Sequence, residues 1–470
     1  MSAPATTEKK YLKWYQKLAY GSGDLASNCS YGLVSSFVLL YLTGTLGLDS
    51  AIIGSLMLAS KVLDGISDVI FGLLIDRTHS KLGKARPWML FGQVGVSLCL
   101  FLLFAIPAGS TTMQYIYFFI VYTALNAVFY TANGIAYSSL VALITKNNNE
   151  RVQLGSFRFM FAVVTNIFMG FAVTGMVEKF GSGAAGWRTT ALIFAIVGLV
   201  VNTISCLAVK ELPEEELSGN TSEAAEEGKA VAEEKKHGFA ETAKILVHNK
   251  YYLMILAIYI VYYIMSNLTT GAGVFCATYY WGDGSLLGQF SMMKMFPVII
   301  ALAIAPVLIK KTGSMQKVNF WGYAISSVLG IPMIYFAMQK NLSMFLLFMF
   351  IKGIFAGTLS GSLNALIAEA SGYTTRTTGV HMDGMMYSCS SLGVKVGGGI
   401  GTAAVGWLLK LGGFVGTATV QSESAIRMIF NLYITFPFVI GIIITVLLAF
   451  LDVEKANKKW DAEHQKEAQA

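Results

Sequence analysis

Long apolar stretches recur along the chain, each separated from the next by a polar connection. A helix needs roughly 20 predominantly apolar residues to cross a bilayer. The pattern predicts twelve such helices, centred near Val34, Leu58, Leu98, Ala124, Val164, Gly198, Ile260, Ile299, Ser327, Ile351, Gly397 and Ile440. The opening MSAPATTEKKYLKWYQK is polar and has no hydrophobic core ahead of the first span, so no cleavable signal is expected. One long hydrophilic break, rich in Glu, Ala, Lys and Gly, divides six spans from six. The expected organisation is an N-terminal six-helix bundle over 1–209, a cytoplasmic linker over 210–250, a C-terminal six-helix bundle over 251–452 and a cytoplasmic tail over 453–470.

The halves repeat weakly. LLIDRTHSK at Leu73 to Lys81 recurs as VLIKKTGSM at Val307 to Met315, an offset of 307 − 73 = 234 residues, in the loop after the second span of each half. The expected fold is therefore all-α and polytopic, two pseudo-symmetric bundles. A carrier built from such repeats holds its substrate near the bilayer midplane and works by alternating access.

Composition excludes a soluble protein, with 55% hydrophobic residues, 13% charged and a mean hydropathy of +0.59. After the second span come Arg77, Lys81, Lys84 and Arg86, whereas the connections GTLGLDS, IPAGSTTMQ and WGDGS hold no base. By the positive-inside rule both termini are expected in the cytoplasm. The net charge of +7 collects largely on that side and implies no nucleic acid. The five cysteines fall in or at the ends of apolar spans without CxxC spacing, and read as small core residues. HExxH, GxSxG and P-loop patterns are lacking and the five histidines lie in or near polar segments, so an enzyme is not expected.

Against that background the charges inside spans carry the candidate chemistry. Asp64 and Asp68 are one helical turn apart, so both lie on one face. A carboxylate at the bilayer centre costs about 2.5 kcal/mol or more, which turns it toward a partner or a watery path. Two adjacent acids can coordinate a small monovalent cation or share a proton; an ion pair with Lys61 on the same helix is the plainer reading, compatible with the first. Further carboxylates of the spans lie in the N-terminal half, as Asp24, while Lys294, Lys352 and Lys395 lie in the other. Arg158 adds a planar fork suited to a carboxylate or vicinal hydroxyls. An acid-bearing sugar suits this asymmetry, although Lys294 and Lys352 could equally snorkel to the outer surface. Tyr137 and Tyr387 are candidate stacking faces for a sugar, whereas Tyr279, Tyr280 and Trp281 read as an interfacial belt.

Several segments resemble a known family. The loop Gly72-x-x-x-Asp76-Arg77 resembles the signature loop of the major facilitator superfamily. KVLDGISDVIFGLLIDRTHSKLGKARPW, from Lys61 to Trp88, is similar to the glycoside/pentoside/hexuronide:cation symporter family, which carries a basic residue, D-x-x-[NST]-D, G-x-x-x-[DN] and a basic loop ending in R/K-P-W/F. YGSGDLASN (Tyr20 to Asn28), RVQLGSFRF (Arg151 to Phe159) and AEASGYTTRTTGVHMDGMMYSCSSLGVKVGGGIG (Ala368 to Gly401) agree in order.

The resemblance implies the major facilitator fold and cation-coupled uptake of a glycoside or sugar acid, with a hexuronide leading and a pentoside or glucoside next. It implies a cation site of Asp64, Asp68 and Thr131 bordered by Ser67, with Na+, Li+ or H+ as coupling ion and no other metal or cofactor. It implies a substrate site using Arg158, Lys395, Asp24, Asn28, Tyr137 and Tyr387, with Lys395 reaching toward the acids. Lys61, Asp76, Arg77, Arg151, Glu369, Arg376 and Asp383 would couple and gate. The sequence departs from the pattern in places. Galactoside-binding members carry aspartates where Asn28 and Gly134 stand, Ala136 replaces a proline of helix four, and His381 replaces an arginine. The glycines 393, 397 and 401 make small-xxx-small steps for close helix packing. The implied partners are a sugar, a monovalent cation and a bacterial cell membrane, with one chain sufficient for function. The rival reading is a carrier of another amphiphile, such as a lysolipid or a sulfonated sugar.

Overall fold

The computed structural model describes residues 9–213, 245–379, 383–418 and 420–467. The expected spans stand there as helices α1 (Trp14–Thr45), α2 (Ser50–Asp76), α3 (Arg86–Leu103), α4 (Thr111–Ile144), α5 (Asn148–Lys179), α6 (Gly183–Leu207), α7 (Lys250–Tyr280), α8 (Leu286–Thr312), α9 (Met315–Met338), α10 (Leu342–Thr378), α11 (Asp383–Leu411) and α12, which starts as Glu423–Phe430 and ends as Phe436–Phe450. Eleven of these are long and apolar enough to cross a membrane by length and composition, and α2, with 27 residues, has spanning length too. A short helix α13 (Val453–Glu467) follows. His381 lies outside the described residues, as does the side chain of Asp383.

The ends of the spans are fixed by polar caps, which matters because orphan amides cannot turn to water in a bilayer. Asp49 caps α2 through Ala51 N, Ser110 caps α4 through Met113 N, Asn147 caps α5 through Glu150 N, and Asn341 caps α10 through Met344 N. Four helices carry a π-helical turn, at Tyr41–Thr45, Ala124–Tyr130, Cys276–Tyr280 and Asn431–Thr435. The turns ending α1 and α7 are offset by 276 − 41 = 235 residues, close to the 234 of the loop repeat.

The described chain falls into two compact units. The first holds the residues up to 213 with Ala277–Gly288 and Gly406–Ala425; the second holds 245–276, Gln289–Val405 and the chain from Ile426 onward. In the first, buried amides tie α3, α4 and α6 together, since Asn133 and Asn202 both donate to Met89 O, at 2.7 and 2.9 Å. In the second, α11 lies backbone to backbone against α7. A Cβ at Gly397 would stand 2.4 Å from Ile260 O and one at Gly401 2.6 Å from Ile264 O, so no larger residue fits this crossing.

A shared device stabilises both units. Glu211, just after α6, accepts hydrogen bonds from Lys84 N, Ala85 N and Arg86 N at 2.7, 3.0 and 3.0 Å, capping the start of α3. Glu454, just after α12, accepts from Met315 N and Gln316 N at 2.8 and 3.2 Å and from the Ser314 hydroxyl, capping the start of α9. The first residue or two of each capped helix reaches back as well, Arg86 Nε to Cys206 O and Gln316 Nε2 to Leu448 O.

Candidate functional site

Two polar clusters lie side by side in the first unit. The first is built on α2 and the π-helical turn of α4. Asp64 is buried, and its Oδ1 stands 2.7 Å from the Thr131 hydroxyl. That hydroxyl is also 2.9 Å from Asn126 O, so its single proton is shared between two acceptors and three oxygens converge. Asn126 lies inside the turn Ala124–Tyr130, where the widened backbone aims its carbonyl at Thr131. Lys61 Nζ stands 3.4 Å from Asp64 Oδ2 on the same helix, the ion pair that the spacing suggests. Ser67 donates to Asp64 O at 2.9 Å, so its hydroxyl is held by its own helix. Asp68 is half-buried one turn further on.

The second cluster joins α1, α4 and α5. Arg158 Nε donates to Asp24 Oδ2 at 2.7 Å, and the guanidinium lies over the Tyr137 ring at 4.1 Å from its centroid. Tyr137 is 2% exposed and locked to α1, its hydroxyl on Tyr20 O and the Tyr20 hydroxyl on Tyr137 O. Its ring therefore supports the arginine, and the open stacking face expected of it is covered. Asn28 donates to Asp24 O at 2.7 Å and accepts from Asn166 Nδ2 at 2.9 Å, which extends the cluster along α5. Asn166 is two turns beyond Arg158 on the same face, a spacing that could have found it.

Tyr130 connects the clusters. Its ring stacks at 5.7 Å and 26° on Tyr31 of α1, the helix that carries Asp24 and Asn28. The next residue is Thr131. Consecutive side chains of α4 thus contact the first cluster and the helix that carries Asp24.

Asp76 and Arg77 are exposed at the end of α2. Arg151 donates from Nε to Thr145 O, beside Glu150, which accepts from Tyr11 N, Leu12 N, the Thr145 hydroxyl and Lys17. In the second unit, Glu369 accepts from Asn457 Nδ2 at 2.8 Å, and Arg376 pairs with Asp461 at 3.5 Å, both partners being on α13. The segment expected as a tail is a helix carrying these contacts. Tyr387 and Lys395 are on α11 of the second unit, Tyr387 41% exposed. No group of three or more His, Cys, Asp or Glu suited to a metal ion occurs among the described residues.

The family profile described as MFS/sugar transport protein matches residues 19–455. The chain is 26% identical over 478 residues to the isoprimeverose transporter of Lactiplantibacillus pentosus, covering 100% of this chain and 96% of that one. It is 24% identical over 408 residues to the glucuronide carrier protein homolog of Escherichia coli strain K12, covering 86% and 85%. Among solved structures, the D-xylose-proton symporter superposes with a TM-score of 0.64 at 12% identity, over 94% of this chain and 98% of that one, which shows the shared fold. The chain is a multi-pass membrane transporter, not an enzyme, and it belongs to the MFS/sugar transport family, the glycoside, pentoside and hexuronide:cation symporters that its motifs resemble.

Proposed function

We propose that the protein takes up a glycoside by symport with a small monovalent cation, and that the two clusters of the first unit are the two binding sites. The observation that carries this reading is their junction at Tyr130 and Thr131. The oxygens of Asp64, Thr131 and Asn126 form a hard-ligand set suited to Na+ or Li+, with Asp68 adding negative charge one turn away. Cation binding offsets the buried charge of Asp64, draws the Thr131 hydroxyl oxygen toward the ion, and so resets the neighbouring Tyr130 ring against Asp24 and Arg158. Sugar binding then raises cation affinity by the same factor, as linkage requires.

The sugar meets a neutral pair. Arg158 is already paired with Asp24, so their free donors and acceptors suit sugar hydroxyls better than an added carboxylate. A glycoside or pentoside is therefore the first reading. A hexuronide is the second, favoured by Lys395 in the other half. Lys395 supplies the positive charge, and Asn28 and Tyr387 the further polar and aromatic contacts. Asp76, Arg77, Arg151, Glu369, Arg376 and Asp383 act in gating, each contact being individually weak, roughly 0 to 1 kcal/mol. Both termini are cytoplasmic by the distribution of bases, and a single chain carrying both halves suffices.

The test is uptake into proteoliposomes of a panel of pentosides, glucosides, hexuronides and lysolipids under separate Na+, Li+ and proton gradients. Accumulation of a glycoside driven by one of these gradients is expected. Accumulation of lysolipid alone, or glycoside flux indifferent to every gradient, would contradict the reading.

A further inference from the structure

Among the described residues, two lysines within the spans of the second unit have no acid paired with them. Lys294 lies eight residues into α8 and Lys352 ten into α10 (294 − 286 and 352 − 342), about 12 and 15 Å from the helix starts at 1.5 Å per residue. Lys294 Nζ points into the bundle, donating to the Thr269 and Thr270 hydroxyls of α7 at 3.2 Å each. That direction is opposite to snorkelling. Lys352 makes no hydrogen bond or ion pair among the described residues.

The two ammonium-bearing positions share one level, because α8 and α10 touch there. A Cβ on Gly353 would lie 2.8 Å from Pro297 Cβ and 3.6 Å from Met293 O, and one on Gly357 would lie 2.7 Å from Ala301 Cβ. Glycine next to Lys352 is what allows this approach. Both lysines line a single cavity of about 180 Å³. Its wall is otherwise mostly apolar, with Met293, Met349, Phe345 and Phe438, and includes seven hydroxyl-bearing residues, Tyr262 and Ser326 among them; it contains no Asp or Glu.

An ammonium buried in an apolar wall loses hydration, and an anion in the cavity that both lysines line compensates for that loss. The cavity sets the size of the rest of that anion. An apolar cavity of about 150 Å³ accepts benzene, so this one takes a ring of that size with a charged substituent. Sugar hydroxyls against Met and Phe would be left unpaired, at a cost. We infer that this cavity binds a small organic carboxylate with an apolar body about the size of benzoate, its carboxylate held between Lys294 and Lys352. The site shares no residue with the Asp24–Arg158 cluster.

Calorimetric titration of the full-length protein in lipid nanodiscs with benzoate, benzamide and glucuronate tests this. Benzoate should bind at least about tenfold more tightly than benzamide, its neutral counterpart, since charge-assisted hydrogen bonds are the stronger ones. Lys294→Met and Lys352→Met should each weaken benzoate by about tenfold or more and leave benzamide unchanged, whereas Lys294→Arg and Lys352→Arg should keep the preference for benzoate. Wild-type protein that fails to prefer benzoate over benzamide would overturn the inference without recourse to any variant. So would benzoate binding unchanged in the double Met variant. Glucuronate that binds as tightly as benzoate and competes with it would overturn the apolar body of the ligand.

Discussion

Thr131 holds its hydroxyl 2.7 Å from Asp64 Oδ1, and the residue before it, Tyr130, stacks on Tyr31 of α1, the helix that carries Asp24. On the proposed coupling, a change at one cluster passes to the other through these two adjacent side chains. Thr131→Val keeps the shape and removes the hydroxyl. It should weaken cation binding by about tenfold, roughly 1.4 kcal/mol, while sugar binding without cation changes little. Cation titration of sugar binding by calorimetry reads both numbers.

Asp24 and Arg158 should behave as one unit. Asp24→Asn and Arg158→Gln would each leave a charged partner unpaired in a half-buried site, so each should weaken sugar binding by about 2 kcal/mol or more. The double variant should be no worse than the poorer single one. Additive losses in the double-mutant cycle would separate the two residues. Arg158→Lys should also fall well short of wild type, because the fork over Tyr137 is lost while the charge stays.

The two glutamate caps predict matched effects in the two halves. Glu211→Ala strips acceptors from three amides at α3 and Glu454→Ala from two amides and a hydroxyl at α9. Each should cost about 1–3 kcal/mol of stability, read as a lowered unfolding temperature in detergent. Sugar affinity of the remaining folded protein should be unchanged, since neither cap touches a cluster.

Asp49 gives a pH dependence. Burial pushes its carboxyl up, but the hydrogen bond from Lys410 at 2.6 Å and those from Ala51 N and Ile52 N hold it below its ordinary value of 3.8. A depressed pKa contributes stability above the unfolded value, and that stability is lost as pH falls through the lower folded value. The thermal-stability gap between wild type and Asp49→Asn should therefore be the same at pH 7 and pH 5 and shrink only below about 4. A gap already closing at pH 5 would count against the pair.

Much of the architecture was legible in the sequence because hydrophobic length and the repeat of a basic loop are local signals. The pairing of Asp64 with Lys61 followed from helical spacing alone. Other parts depended on backbone geometry that no residue pattern announces. Asn126 enters the first cluster by its carbonyl, through a π-helical turn, and any side chain could stand there. Glu211 and Glu454 sit more than 120 residues from the amides they cap. Tyr137 was legible as an aromatic near the site, but its burial beneath Arg158 is a property of packing between α1, α4 and α5. Lys294 and Lys352 were visible as charges in spans, while the contact of Gly353 with Pro297 that sets them at one level was not.

The central claim is that the carboxylates of α2 couple the cation to the sugar. Asp64→Asn and Asp68→Asn keep the shape and much of the hydrogen bonding while removing the charge a cation must find, and no third acid lies beside them in the midst of that helix. The most direct measurement is sugar accumulation by proteoliposomes under an imposed cation gradient, set beside gradient-free exchange. Each variant should lose accumulation and retain exchange. Full concentrative uptake by both would contradict the account and leave Asp64 as the structural partner of Lys61.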